Sequence, residues 1–494
     1  MYHLNPPHKE INGHTVTPKD FHVDQRTGFV PPQMPLRRLS DEWEIWEATL
    51  DVAKSQKLKV AEQALLLDAQ QRIVAEDKAR AWRKTVEKVR MEVPSISISL
   101  IDPCQMPVLS INNLKGCERE LRRAHLVLAF TVQFYTHTVP STEPITVPRS
   151  LTVPLLRVSK ELQHAPYITY SDHALNNWSH KEPREEGALP TSDNLQAQTT
   201  FTGTSDENEF HMTDIRIELK GAEAVELMRL VTDEIVGSDN PDVGRIAGYL
   251  RRAAAVIEQM KDVLMSTKKL VKPEAFYNEI SPWLMGANAD SWSRKWVWEG
   301  SEEVEGSAEM LAKTNGPTAA QSPLVPTLDA YLGLEEDESK SAFLDRVRIY
   351  MICDHEAFLQ HLRSNGRPIH SFVEKISREQ GADAPVVTAY DAAINAMKGF
   401  REAHLIIVTL YVIIPARQAK VRAGNPGMSV TMSAKPSGTE AGAVGKMEDE
   451  NPANGVPGKG DRDTEKAAAK GSQEFQLMEF LKGFRDQTNY GRVG

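Results

Sequence analysis

Cysteine is scarce in this chain of 494 residues. Cys104, Cys117 and Cys353 are too few and too scattered for a disulfide framework, and no CxxC pair offers a zinc site. Net positive charge is missing as well. The 68 acidic against 58 basic residues give a formal balance of −10, with no basic arm to offset it. That removes the attraction on which nucleic acid and anionic membranes rely, so neither is expected as a partner. Long apolar runs are absent too: the longest, Leu405 to Ala416, is interrupted by Thr409 and Pro415 and is short for a bilayer span. The opening Met1-Tyr2-His3-Leu4-Asn5-Pro6-Pro7 is too polar for a signal peptide. No internal repeat, glycine-rich phosphate loop or Ser/His/Asp order stands out. The expectation is a cytoplasmic protein acting as a monomer.

What is present is helical periodicity. Residues 1–40 are rich in Pro and His and predict an extended lead-in over the surface. Ser40 is placed as the N-cap of a helical stretch reaching about residue 91, in which apolar positions recur at three and four. A second helix is expected over about 115–135, and Pro140, Pro144, Pro148 and Pro154 then mark a linker. This predicts a small helical domain over 41–150 and a larger one over 151–415. A loop-rich region to residue 208 comes first, then helices at about 210–236, 240–267, 273–285, 324–334, 340–363, 367–378 and 385–415. Residues 416–471 hold scarcely any large apolar side chain and are expected to be disordered. The tail over 472–494 regains an amphipathic pattern and is expected to dock back on the large domain. The stretch Leu405-Ile-Ile-Val-Thr-Leu-Tyr-Val-Ile-Ile is strand-like on propensity alone. Upstream, Ala389, Ala392, Ala393, Ala396 and Met397 keep helical period, so the whole element reads as one buried helix.

Several segments in succession resemble the indoleamine 2,3-dioxygenase family of haem enzymes. They include Arg122-Arg-Ala-His-Leu-Val-Leu-Ala-Phe, Tyr170-Ser-Asp-His-Ala-Leu-Asn-Asn-Trp, Pro273-Glu-Ala-Phe-Tyr and Leu328-Asp-Ala-Tyr-Leu-Gly. Phe400-Arg-Glu-Ala-His-Leu-Ile-Ile-Val and Leu477-Met-Glu-Phe-Leu-Lys complete the series. The resemblance implies an all-α fold, a small domain covering one face of a haem b group and a large domain holding it. It implies insertion of O2 across the C2–C3 bond of an indole, as from tryptophan to N-formylkynurenine, with an external reductant keeping the iron ferrous. Haem supplies such chemistry, and the protein supplies ligation and positioning.

Taken alone, His404 is one of 14 histidines and reads as a core residue. The resemblance makes it the axial ligand, one turn after Arg401, which would face a haem propionate. It assigns Asp329 to ordering the haem site, Thr318 and Ala319 to the haem edge, and Tyr170, His173, Phe210, Asp214 and Phe276 to the indole pocket. Two departures bear on the substrate. The family's carboxylate-gripping arginine falls on Ser281, which cannot make a bidentate charged pair, and Asp214 replaces a pocket serine. The loop that closes over substrate aligns with Gly471-Ser-Gln-Glu-Phe and keeps one hydroxyl, Ser472. A tryptophan-derived indole without a free carboxylate is therefore expected, with Arg294 or Lys295 as the alternative cation for an amino-acid substrate. A haem-binding regulator without turnover and a helical scaffold are the competing readings.

Overall fold

A computed structural model describes residues 17–87, 107–287, 294–334, 347–424 and 478–493, the last without 480, 484 and 487. Among them the chain is all-α, with four three-residue strands in two small pairs. The first helical stretch is interrupted. Helix α1 (Glu44–Ser55) ends where Lys57 turns left-handed at φ 49°, and α2 (Ala69–Glu87) resumes after a short turn. Their period places Trp46 and Trp82 in one core, each about 1% exposed. Helix α3 (Glu118–His137) is buried on every side from Leu121 to Thr136, with Arg122, Arg123, His125 and Gln133 among its buried residues. It sits at the centre of the amino-terminal half. There Arg123 forms a buried two-pronged pair with Glu47 of α1, at 2.6 and 2.8 Å.

The proline-rich stretch does not divide two cores. Pro148 supplies the extended residue before α4 (Arg149–Glu161), which carries Pro154 within it. Leu151, Leu155 and Val158 of α4 share a core with α1 to α3, and so do Tyr167, Ile168, Phe201 and Trp283. The packing boundary therefore lies well beyond residue 150. Strand β1 (Ile145–Val147) pairs in parallel with β4 (Trp296–Trp298), and β2 (Trp178–His180) pairs antiparallel with β3 (Leu195–Ala197). Residues 17–30 form a 3-10 turn (Pro18–Phe21) and a tight turn closed by the Asp24–Gly28 bridge rather than an extended lead-in, and Val23 and Phe29 enter the core of the carboxy-terminal half.

That second core is built on α5 (Ser205–Val236), α6 (Val243–Leu270) and α10 (Pro385–Val408), with α6 packed against both of the others. Helices α7 (Leu324–Leu332), α8 (Cys353–Ser364) and α9 (Pro368–Gln380) close it. Helix α5 begins five residues before the expected start. Thr204 accepts the Glu207 N–H at 3.2 Å, so the polar run before Phe210 is a capped first turn rather than a loop. The expected helix over 273–285 is instead an α turn, a π turn (Phe276–Ile280) and a 3-10 turn (Ser281–Leu284). Pro282, which lacks an N–H, cannot continue an α-helix there.

The strand-like stretch is helical. Helix α10 passes through a π turn (Thr409–Ile413) and runs on as Ile414–Gly424, so residues 416–424 are helical rather than disordered; 425–471 lie outside the described residues. By length and composition alone the element Pro385–Val421 could cross a bilayer. Its Tyr390, Ala393, Ile394, Met397 and Phe400 are buried in the core, whereas Ile406, Ile414 and Val421 are exposed, so the second half is not the buried helix expected.

Candidate functional site

Three π-helical turns occur among the described residues, at Ser171–Leu175, Phe276–Ile280 and Thr409–Ile413. Such turns widen a helix and re-aim side chains, and they concentrate at functional sites. Here they deliver rings to one place. Tyr170 meets His173 edge-on at 5.3 Å, and His173 stacks on Phe210 at 6.0 Å and 7°. Phe210 meets Phe276 at 5.0 Å, and Phe276 meets Tyr411 at 5.9 Å. Tyr411 stands seven residues after His404, about two turns along α10. Its hydroxyl is tied to the carbonyls of Thr267 and Val271 at the end of α6, at 2.9 and 2.7 Å. The aromatic series thus runs from the first half of the chain to the helix that carries His404.

His404 makes no hydrogen bond to any described residue and keeps some accessible surface between the buried Ala403 and Leu405. Burial pushes its imidazole pKa down, which favours the neutral form. A neutral imidazole with an unspent nitrogen, on a rigid helix, fits a haem iron. Arg401 lies one turn earlier. It pairs with Asp329 of α7 at 2.6 Å and donates to the Thr488 hydroxyl, so it ties α7 and the carboxy-terminal segment to α10. Their side chains are 12% and 16% exposed. Asp329 thus stands next to Arg401, as a direct partner. Thr318 and Ala319 are exposed. The Thr318 hydroxyl accepts the Ala320 N–H at 3.4 Å and caps a short turn. That turn is fixed to the pocket by Gln321, which accepts the Tyr170 N–H at 2.9 Å. Gly316 lets the loop lie against the chain at 284–286, where a Cβ would collide with the Leu284 carbonyl.

A polar group behind the rings joins the expected His173 and Asp214 to Glu207, His211 and Glu218, which the sequence did not single out. On α5, Asp214 follows Phe210 by one turn and makes no hydrogen bond; its Oδ2 lies 4.0 Å from His173 Nδ1. Burial, then the neighbouring Glu218, push its pKa up to about 8. Burial likewise pushes Glu218 up to about 7, and its Oε1 accepts from Tyr170 Oη at 3.0 Å and Ser322 Oγ at 2.6 Å. His173 Nδ1 is 3.0 Å from His211 Nδ1, whose Nε2 lies 3.4 Å from Glu207 Oε1. Burial would raise the Glu207 pKa. Hydrogen bonds from His211, Thr202 and the Phe201 N–H outweigh this and hold it low. The available signal was the spacing of Glu207, His211, Asp214 and Glu218 on one helix, hidden because 181–208 read as loop.

The Ser281 hydroxyl makes no hydrogen bond, its N–H donates to the Phe276 carbonyl, and the residue opens the 3-10 turn whose Trp283 is buried against Phe201 at 5.3 Å. Arg294 donates to the carbonyls of Val139 and Pro140 at 3.0 and 3.3 Å, and exposed Lys295 accepts the Ile145 N–H through its backbone. Arg294 lines a cavity together with Pro282, Met285 and His137. Ser472 lies outside the described residues.

The sequence profile described as Indoleamine 2,3-dioxygenase matches residues 17–490. The chain is 28% identical over 370 residues to human indoleamine 2,3-dioxygenase 2, covering 74% of this chain and 86% of that one. It is 29% identical over 388 residues to the indoleamine 2,3-dioxygenase of Saccharomyces cerevisiae, covering 76% and 78%. It is also 29% identical over 331 residues to the indoleamine 2,3-dioxygenase nanC of Aspergillus nanangensis, covering 65% and 77%. With a match across almost its whole length and the ring series in place around the His404 helix, the chain belongs to the indoleamine 2,3-dioxygenase family, haem-dependent enzymes that add O2 to an indole.

Proposed function

We propose that His404 is the axial ligand of haem b and that the rings from Tyr170 to Phe276 hold an indole lacking a free carboxylate. The observation that carries this is His404 itself: desolvated, without a protein partner, and two turns from the ring series. A haem held by His404 would supply the activation of O2 that insertion across the indole C2–C3 bond requires.

The protein's own part is positional. Phe210 and Phe276 offer faces and edges at 5.0 Å from one another, a setting in which an aromatic guest is held by offset stacking. Arg401, Asp329 and Thr488 brace the helix that presents His404. Thr318 and Ala319, tied to Tyr170 through Gln321, form the small-residue edge. Ser281 offers an amino-acid carboxylate no cation, and the backbone bonds of Arg294 keep it from replacing one. A capped or cyclised tryptophan does not need that cation. The reading requires O2 and an external reductant, and it takes the chain to work as a monomer in the cytoplasm.

The test is H404A alongside wild type, each reconstituted with haem. We expect wild type to show the haem absorption band and to add two oxygen atoms to N-acetyltryptophan amide, read by mass. H404A should lose the band or shift it to that of a weakly held haem. A wild-type band in H404A, or clear preference for free tryptophan, overturns the corresponding half of the reading.

A further inference from the structure

Tyr170 opens the ring series, and the loop before α7 carries the small residues Thr318 and Ala319. These two segments meet although Tyr170 and Gln321 stand 151 residues apart. The Tyr170 N–H donates to Gln321 Oε1 at 2.9 Å, and Gln321 Nε2 donates to the Gly316 carbonyl at 3.0 Å. Those bonds hold the Tyr170 backbone and leave its ring to be fixed by another group. Glu218 of α5, 1% exposed, does this. Its Oε1 accepts both Tyr170 Oη at 3.0 Å and Ser322 Oγ at 2.6 Å, while Oε2 is buried without a hydrogen-bond partner. One oxygen therefore carries both ties. No cation pairs with Glu218 among the described residues, so the carboxyl is not buried there to balance a charge. Its anchor is also tight. One turn further along α5, a Cβ on Gly221 would collide with the Leu324 side chain, and the Leu324 N–H donates to Ser322 Oγ at 3.3 Å.

We propose that Glu218 is a positioning residue for the indole reaction, holding Tyr170 and Ser322 on one oxygen and so setting how the indole lies between the rings and the Thr318–Ala319 edge. This rests on the indole reading above. The arrangement requires an acceptor at Oε1 rather than a charge. Burial raises the Glu218 pKa to about 7, which favours the neutral carboxyl and keeps that acceptor. Glutamine keeps an acceptor oxygen as well. Leucine keeps the bulk and strands both hydroxyls. A Tyr170 ring released from its tie has to be ordered when the guest binds, a cost of about two- to tenfold in affinity. A guest held askew loses more, about a hundredfold in rate for a displacement of about 1 Å. The tie thus weighs on turnover more than on binding.

The experiment compares wild type, E218Q, E218L, Y170F and S322A as haem-loaded full chains with N-acetyltryptophan amide. Calorimetry gives the affinity, and product detected by mass gives kcat. E218Q is expected to stay within about threefold of wild type in both. E218L should lose about a hundredfold in kcat and no more than about tenfold in affinity, a split that general loosening of the fold would not produce. The double change E218L with Y170F should be no slower than E218L alone, because both act through the same oxygen. Should E218L fail to fold, Y170F and S322A decide the matter, since each removes one tie and should lower kcat more than affinity. E218Q as impaired as E218L, losses that multiply in the double variant, or wild-type kcat in both Y170F and S322A overturns the proposal and leaves the indole reading standing. A wild-type chain that binds no indole overturns both.

Discussion

Two kinds of buried titratable group sit around the site, and they respond to pH with opposite sign. Burial, then the charge of His125, depress His164 to about 3. A depressed histidine contributes stability present above its unfolded value, near 6.5, and lost as pH falls toward 3. Asp214 is the reverse. Raised to about 8, it contributes stability present below about 4 and lost as pH rises through 8. Replacing each group should therefore tilt the stability profile in opposite directions. Between pH 6.5 and 5, H164L should lose stability less steeply than wild type, by up to about 1.4 kcal/mol per pH unit. Over the same range D214N should lose it more steeply. Urea denaturation at several pH values reads the slopes, which are separate from any uniform loss due to the missing Thr169 contact of His164. Parallel profiles for all three proteins would refute both assignments. At this scale the sequence reveals His404, Phe210 and Phe276 because they fall in segments with a recognisable order. His211, Glu207 and Glu218 stay hidden, since their meaning comes from what α5 faces. Arg401 is legible from its place one turn before His404, whereas its pairing with Asp329 and Thr488 joins segments 72 and 87 residues away.

Element by element, helical period is readable wherever one face is apolar, as in α1, α6 and α9. It fails where local chemistry overrides it. The segment after Pro273 keeps an apolar period yet splits into three kinds of turn, since Pro282 withholds a backbone donor. Helix α10 shows the converse, for the β-branched stretch from Ile406 to Ile414 stays helical although only Tyr411 and Ile413 in it are buried. Two helical glycines separate packing from propensity. A Cβ on Gly221 of α5 would drive into the Leu324 side chain of α7, whereas one on Gly399 of α10 would meet only Glu258 and Lys261 side chains at 3.5 Å or more. G221A should lose about 1–3 kcal/mol through overpacking. G399A should gain about 0.5–1 kcal/mol by restricting the unfolded chain. Thermal unfolding of the two variants distinguishes them, and equal effects would mean that α5 and α7 do not meet as closely as described.

Across the whole molecule, the distance between the site's parts in sequence explains why its assembly is not legible from any one of them. Asp329, Arg401 and Thr488 lie on α7, on α10 and in the carboxy-terminal segment, and one guanidinium joins them. Both charged side chains are largely buried, so removing one partner strands the other. D329L should cost about 3 kcal/mol, whereas the double change D329L with R401L should recover most of that loss, because neither charge then remains buried alone. Stability alone does not reveal whether the brace matters to function. If Arg401 holds α10 in the position from which His404 serves haem, the double variant should regain the stability of the fold and still release haem faster than wild type. Haem transfer to an excess of apomyoglobin measures that rate. Recovery of both stability and haem retention would reduce the pair to a packing contact, whereas recovery of stability alone would make it the link through which the carboxy-terminal segment secures the cofactor. With Thr488 the pair joins three separate parts of the chain, so its effect on haem should exceed that of G221A, which shifts α7 without removing the guanidinium.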